Sequence, residues 1–158
     1  VCSKQSPGIC EANWALTCGV NKREMETDPK IFIDIAKFKA HTVSLKQAVH
    51  YSQLFKSGKF RQFDYEKRNY KVYNSPSPPD YKLANVIAPM YVYSAGNDII
   101  VAEKDIRRLV KLLPNVRTHL YFDNYNHCDF VYGKHSRSDF YYDVLNAMHE
   151  DLRESSYI

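Results

Sequence analysis

The pattern of apolar and polar positions is clearest in the second half of this 158-residue chain. Residues 88–94 form an apolar run, and residues 116–122 alternate between two faces, as strands do. Between them, apolar residues recur at helical spacing from Ile106 to Leu113, and Pro114 ends the pattern. A strand–helix–strand unit of this length makes the two strands parallel, with a right-handed crossover. The order of elements therefore predicts an α/β fold.

Helices are predicted on both sides of that unit. Ser44 and Gln47 have the spacing of a capping box, and Gly58 is well placed to end the amphipathic helix that follows. A last helix is predicted over about 138–152 from apolar residues at helical spacing. Short helical segments are predicted over residues 1–37. The Pro-rich stretch 75–79 indicates a boundary between a helical part and a strand-bearing part of the chain.

Composition and charge exclude several classes of function. The net charge of +4 comes from scattered Lys and Arg residues, and no repeat of basic and aromatic residues resembles a nucleic-acid platform. No apolar run approaches the roughly 18–20 residues that a membrane span needs. The four cysteines include no close pair of the kind that binds zinc, so no metal site is predicted. The aromatic content of 14% favours a packed domain over disorder.

Two candidate catalytic residues follow the predicted strands. Asp98 comes after the first strand and His127 after the second. Because parallel strands end at the same edge of a sheet, a carboxylate and an imidazole should meet there, as in two thirds of a Ser-His-Asp triad. Gly96 should supply conformational freedom in φ for the turn before Asp98. The competing interpretations are an Asx turn at Asp98 and an ordinary loop histidine at His127.

Other candidates for these roles are weaker. Asp105 lies in the first turn of the crossover helix, where it favours the helix dipole. Asp123 and Asp129 are too close in sequence to His127, and Asp129 is predicted to cap local backbone. The other histidines have no partner at a suggestive spacing. A dyad of Cys128 with its neighbour His127 is disfavoured, because adjacent side chains usually point apart.

The nucleophile of such a triad is missing from these residues. No G-x-S-x-G elbow occurs in the chain, and in hydrolases of that type the order is Ser, Asp, His. The serine is therefore expected upstream of Val1. A chain that begins with Val and has no signal-like segment is interpreted as the C-terminal portion of a larger protein, with a signal peptide expected upstream.

The cysteines leave two interpretations open. Cys2 and Cys10 flank a short Ser-Pro-Gly turn, which would bring them within disulfide reach. A disulfide would indicate a secretory or lumenal compartment. The alternative is four buried thiols in a cytosolic protein.

Three segments carry a family resemblance. Residues 94–106, which read SAGNDIIVAEKDI, resemble the S-G-x-x-D-x-L-A-D-P-x-D-V segment of the acid lipases. Residues 126–133, NHCDFVYG, resemble the N-H-x-D-F-x-x-G segment of the same family, which includes gastric, lysosomal and insect lipase-3-like proteins. Residues 46–65 are similar to another of its stretches. The main departure is Glu103-Lys104, where the family usually has Asp-Pro.

The resemblance implies an α/β-hydrolase fold with a helical cap. Residues 1–79 would belong mostly to the cap or lid, and residues 80–158 to the last strands and helices of the core. Asp98 and His127 match the family's catalytic acid and base. Cys2 and Cys10 match its disulfide, and Cys18 matches its free cysteine, which leaves Cys128 unpaired as well.

The implied function is hydrolysis of lipid esters at a lipid–water interface by a secreted, lysosomal or other lumenal enzyme that needs no cofactor. Without the nucleophile, this chain alone should be inactive. Two alternatives remain: a capped esterase with another substrate, and an inactive relative that binds or carries lipids. The sequence indicates no oligomeric state.

Overall fold

The computed structural model of the protein describes Ala12, Ala15, Leu16, Cys18, Gly19 and residues 43–155. By its internal contacts the chain divides into two units, Ala40–Val86 and the combination of Val1–Lys39 with Ile87–Ile158. Ala12, Ala15, Leu16 and Cys18 are helical, in agreement with the prediction of short helices near the start of the chain. The rest of that prediction, and the proposed Cys2–Cys10 pair, lie outside the described residues.

The unit Ala40–Val86 begins with helix α1, Leu45–Ser57. The predicted capping box is present, since Ser44 Oγ accepts from the Gln47 backbone N–H and Gln47 Oε1 accepts from the Ser44 N–H, both at 3.1 Å. Gly58 ends the helix in the left-handed conformation, φ 60°, and its N–H donates to the Leu54 carbonyl. Both predicted ends of this helix are confirmed.

Buried Asn69 organises the loops of that unit. It lies at the start of α2, Asn69–Tyr73, after a short 3-10 turn. Its Oδ1 accepts from the Tyr65 N–H at 2.8 Å, and its Nδ2 donates to Asp64 Oδ1 at 2.7 Å and to the Pro76 carbonyl at 3.0 Å. One amide side chain therefore ties two segments without regular secondary structure, Asp64-Tyr65 and the loop at Pro76, to the start of α2.

The other unit contains a two-stranded parallel sheet. Strand β1 is Met90–Ala95, helix α3 is Glu103–Leu112 and strand β2 is Val116–Phe122. The strands pair in register from Tyr91 with Thr118 to Ala95 with Phe122. The parallel strand–helix–strand unit is as predicted, although β1 begins two residues later than the apolar run.

Aromatic rings fill the space beside the sheet. After β2 the chain forms the short helix α4, Asp129–Tyr132, a π turn over Arg137–Tyr141, and helix α5, Tyr142–Ser155. Neighbouring ring centroids lie 4.8–6.3 Å apart in a cluster of Tyr93, Phe122, Tyr125, Phe130 and Phe140. Two of these rings, Tyr125 and Phe130, belong to the segment after β2, so the cluster joins that segment to the sheet.

Two tyrosines on β1 attach the strand to α5. Tyr91 Oη donates to Asp151 Oδ1 at 3.0 Å, and Tyr93 Oη donates to Asp143 Oδ2 at 2.7 Å. Burial raises the pKa of Tyr93, and the bond to Asp143 adds to the effect.

Among the described residues, no helix is both long and apolar enough to cross a membrane.

Candidate active site

The loops that follow the two strands run side by side. The Gly96 N–H donates to the Phe122 carbonyl at 3.0 Å, and the Asn97 N–H donates to the Tyr125 carbonyl at 2.9 Å. Asn97 Nδ2 also donates to the Asn124 carbonyl at 3.0 Å. These bonds extend the pairing of the strands past their ends. They fix the position of Asp98 relative to His127.

Asp98 and His127 are in direct contact, as predicted from their places after the strands. His127 Nδ1 lies 2.9 Å from Asp98 Oδ2. A carboxylate oxygen accepts, so Nδ1 donates in this contact, and in the neutral ring Nε2 is then the acceptor nitrogen. The Asp98 side chain is 9% exposed and the His127 side chain 41%, so the carboxylate is enclosed while the ring is open to an incoming group.

The second oxygen of Asp98 is anchored to the backbone. Oδ1 accepts from the N–H groups of Ile100 at 2.8 Å and Val101 at 2.9 Å. Asp98 therefore does form the Asx-type turn of the competing interpretation. The two interpretations are compatible, because one oxygen makes the turn and the other orients the imidazole.

Gly96 is required for a reason other than the predicted one. A Cβ atom on this residue would lie 2.3 Å from the Asp123 carbonyl oxygen and 2.8 Å from Tyr121 Oη. Its φ is not in the left-handed region; among the described glycines, only Gly19 and Gly58 have positive φ. The expected freedom in φ was wrong, and close approach of the neighbouring loop is what excludes a side chain here.

Asn126 and Asp129 stabilise the loop that carries His127. Asn126 Oδ1 accepts from the N–H groups of Cys128 at 2.9 Å and Asp129 at 3.0 Å. Asp129 Oδ2 accepts from the Asn126 N–H at 2.7 Å, which confirms the predicted local backbone cap. Both side chains are buried, so His127 lies between two satisfied and enclosed polar groups.

The cysteine prediction is wrong for Cys18 and Cys128. These residues form a disulfide with a Cα–Cα distance of 5.3 Å, whereas both were expected to be free. The two residues are 110 positions apart, and contact at that separation is a property of the tertiary fold that cysteine spacing does not reveal. Among the described cysteines, none is free.

A contact between Ser94 and His119 was not predicted from the sequence. Ser94 Oγ lies 2.8 Å from His119 Nε2, across the two strands. In the register of the sheet, Ser94 pairs with Tyr121 and His119 with Val92, so the contact is diagonal. The register of the parallel strands is the information that would have predicted this contact.

A cavity of about 220 Å³ opens beside the Asp98–His127 pair. It is lined by Tyr93, Ser94, Ala95, Asp98, Val101, Glu103, Ile106, His127 and Phe130. Most of the exposed lining surface is apolar, and Ser94, Asp98, Glu103 and His127 contribute polar groups. Within the part of the chain that the structure describes, no group of three or more His, Cys, Asp or Glu residues has the arrangement of a metal site.

Comparison with known proteins identifies relatives. The chain is 32% identical over 157 residues to gastric triacylglycerol lipase of Bos taurus, covering 97% of the chain and 39% of the relative. It is 41% identical over 108 residues to Lipase 3 of Drosophila melanogaster, covering 66% of the chain and 27% of the relative. A Crotalus adamanteus protein named "Putative lysosomal acid lipase/cholesteryl ester hydrolase" is 31% identical over 144 residues, with shares of 90% and 36%.

No protein-family model matches the sequence. The chain spans less than two fifths of the length of these three relatives. The matches to the cattle and snake proteins nevertheless cover nine tenths or more of the chain itself. The chain belongs to the acid lipase family.

Proposed function

We propose that this chain supplies the acid and the base of a Ser-His-Asp hydrolase that cleaves lipid esters. The observation that carries the proposal is the 2.9 Å contact between Asp98 Oδ2 and His127 Nδ1, beside a cavity whose lining surface is mostly apolar. The nucleophilic serine would come from a part of the protein outside these 158 residues, which contain no G-x-S-x-G elbow. In this proposal the chain is the C-terminal portion of the enzyme.

The roles follow from the tautomer. Nε2 of His127 would take the proton of the serine as it attacks the ester carbonyl, and would then protonate the leaving alcohol. In the second half of the reaction the same nitrogen would activate water to release the acyl group. Asp98 would hold the ring and stabilise the imidazolium that forms in both halves. The proposed chemistry requires no metal or organic cofactor.

The proposed substrate is a lipid ester at a lipid–water interface. The names of the relatives specify triacylglycerol and cholesteryl ester as substrates of those proteins. Residues 80–158 would then be the last strands and helices of an α/β-hydrolase core, and residues 1–79 mostly its cap. The disulfide between Cys18 and Cys128 supports a secreted or lumenal location, because such bonds persist in oxidising compartments.

The test uses the full-length protein that carries this chain. His127→Ala should abolish nearly all turnover of a p-nitrophenyl ester and of an emulsified triglyceride, while the folded state is retained. His149→Ala is the matched control, since this exposed histidine lies on α5 and the change should leave turnover intact. Wild-type activity in His127→Ala would contradict the proposal.

Two other outcomes separate the alternatives. If the residues upstream of Val1 contain Gly or Ala where a G-H-S-x-G elbow would have its serine, the protein is a lipid binder without this hydrolytic mechanism. If short-chain esters are cleaved and emulsified lipids are not, the enzyme is an esterase of another substrate class.

A further inference from the structure

The Cys18–Cys128 disulfide joins a segment near the start of the chain to the residue that follows His127. Cys18 is fully buried and Cys128 nearly so, which encloses the bond within its unit of the fold. The Cys18 carbonyl also accepts from the backbone N–H of His127 itself at 2.9 Å. Cys18 is therefore bonded covalently to Cys128 and by a hydrogen bond to His127.

Gly19 extends this connection to both loops of the pair. Its carbonyl accepts from Asn126 Nδ2 at 3.1 Å, on the histidine side. On the aspartate side, a Cβ at Gly19 would lie 2.3 Å from the Asn97 carbonyl oxygen, so the two backbones are in close contact. With φ at +90°, the residue adopts a conformation that favours glycine. Cys18 and Gly19 thus lie against the residues adjacent to both Asp98 and His127.

The imidazole depends on this backbone for its position. Among the described residues, the His127 ring hydrogen-bonds to Asp98 alone, and two fifths of its side chain is exposed. A ring held by a single bond follows its backbone when that backbone moves. Displacement of about 1 Å in a catalytic group can cost on the order of 100-fold in rate.

We propose that Cys18 and Cys128 are positioning residues for His127: their disulfide holds the histidine loop so that the ring engages Asp98. The catalytic consequence rests on the proposed function, whereas the geometric consequence does not. Neither sulfur takes part in the chemistry. The disulfide instead fixes the distance between the loop and the segment that supports it.

The first experiment replaces both cysteines in the full-length protein, as Cys18→Ala/Cys128→Ala. We expect kcat for a p-nitrophenyl ester to fall roughly 10- to 100-fold with KM within about twofold of wild type. The strongly downfield Nδ1–H proton resonance of His127, which marks its bond to Asp98, should weaken or disappear. The two single variants should each match the double variant, because the pair acts as one unit.

A control separates positioning from general loss of stability. Tyr91→Phe removes the bond to Asp151 at the end of β1 remote from the site. This variant should become less stable while kcat and the His127 resonance remain as in wild type. If Tyr91→Phe and the cysteine variant reduce kcat equally at matched stability, the disulfide has only a structural role and the proposal is overturned.

A second measurement applies if the cysteine variant does not fold. The folded Cys2→Ala/Cys10→Ala protein is treated with a water-soluble phosphine below its unfolding temperature, so that reduction at positions 2 and 10 cannot produce the effect. Loss of kcat and of the His127 resonance with unchanged far-ultraviolet circular dichroism supports the proposal. If the disulfide is fully reduced while kcat and the His127 resonance are both unchanged, the proposal is overturned. If His127→Ala is also fully active, the proposed function fails; if only the cysteine changes are silent, the positioning role alone fails.

Discussion

Asp98 contacts His127 with one carboxylate oxygen and local backbone with the other. Oδ2 lies 2.9 Å from Nδ1 of the histidine, 29 residues further along the chain, while Oδ1 accepts the N–H groups of Ile100 and Val101. The carboxylate therefore cannot rotate without losing two backbone bonds. This makes Asp98 a rigid reference for the orientation of the imidazole.

That rigidity predicts the effect of Asp98→Asn. The amide oxygen should keep the bonds to Ile100 and Val101, so the amide NH₂ would face Nδ1 of His127. The ring would then place its proton on Nε2, the nitrogen that has to accept one. In the full-length protein kcat should fall by up to about 10⁴-fold, as measured with a p-nitrophenyl ester.

The outcome for Asp98→Asn is checked against Asp123→Asn, an exposed neighbour in the next loop. That control should retain nearly full activity. Equal losses in both variants would mean that a general change in charge near the site, and not the tautomer, is responsible.

The 158-residue chain by itself should show no ester turnover, because it has no G-x-S-x-G elbow.

Gly96→Ala should destabilise the unit that contains the sheet. The added Cβ would meet the Asp123 carbonyl oxygen at 2.3 Å, and backbone on both sides would have to move. Overpacking of this kind typically costs about 1–3 kcal/mol of unfolding free energy. Urea denaturation of the chain gives the value. Wild-type stability in this variant would show that the two loops are farther apart than described.

The disulfide predicts a specific peptide map. Under non-reducing conditions, the peptide with Cys18 should be linked to the peptide with Cys128. Pairing of Cys2 with Cys10 remains a prediction, and the same map tests it. Removal of the Cys18–Cys128 bond should lower the free energy of unfolding by about 2–5 kcal/mol, because it closes a long loop. Unmodified thiols at either position in the native protein would contradict the assignment.

Asp64 predicts a dependence of stability on pH. Hydrogen bonds from the Asn69 side chain and the Glu66 backbone hold the pKa of Asp64 below its ordinary value. Because the pKa is lower in the folded state, its contribution is present above the unfolded pKa of about 3.9 and is lost as the pH falls through the folded pKa.

Asp64→Asn should therefore be less stable than wild type at pH 7, by about 1 kcal/mol, with the difference shrinking below about pH 4. Urea denaturation between pH 3 and pH 7 measures this. Asp80→Asn is the control, since Asp80 lies in the same unit and its exposed carboxylate pairs with Arg61, an arrangement in which solvent screening keeps the contribution small. A constant difference across the pH range would contradict the role of the Asp64 charge.

Local sequence determined the elements and the contact between Asp98 and His127. The capping box at Ser44 and the left-handed Gly58 depend on interactions within a few residues, so the sequence pattern records them directly. The strand Val116–Phe122 pairs with a distant strand, but its alternation of two faces is visible in the sequence. Parallel strands then require their following loops to share a sheet edge, which is why two residues 29 positions apart were predictable as neighbours.

Tertiary structure alone decided the rest. The disulfide between Cys18 and Cys128, the contact of Gly19 with Asn97 and the diagonal bond from Ser94 to His119 join segments whose separation has no periodicity to read. Gly96 illustrates the same limit, since its glycine is required by the Asp123 backbone and not by its own φ. Contacts of this kind form only after strands have paired and loops have packed, so their geometry is set by the fold and not by neighbouring residues in the chain.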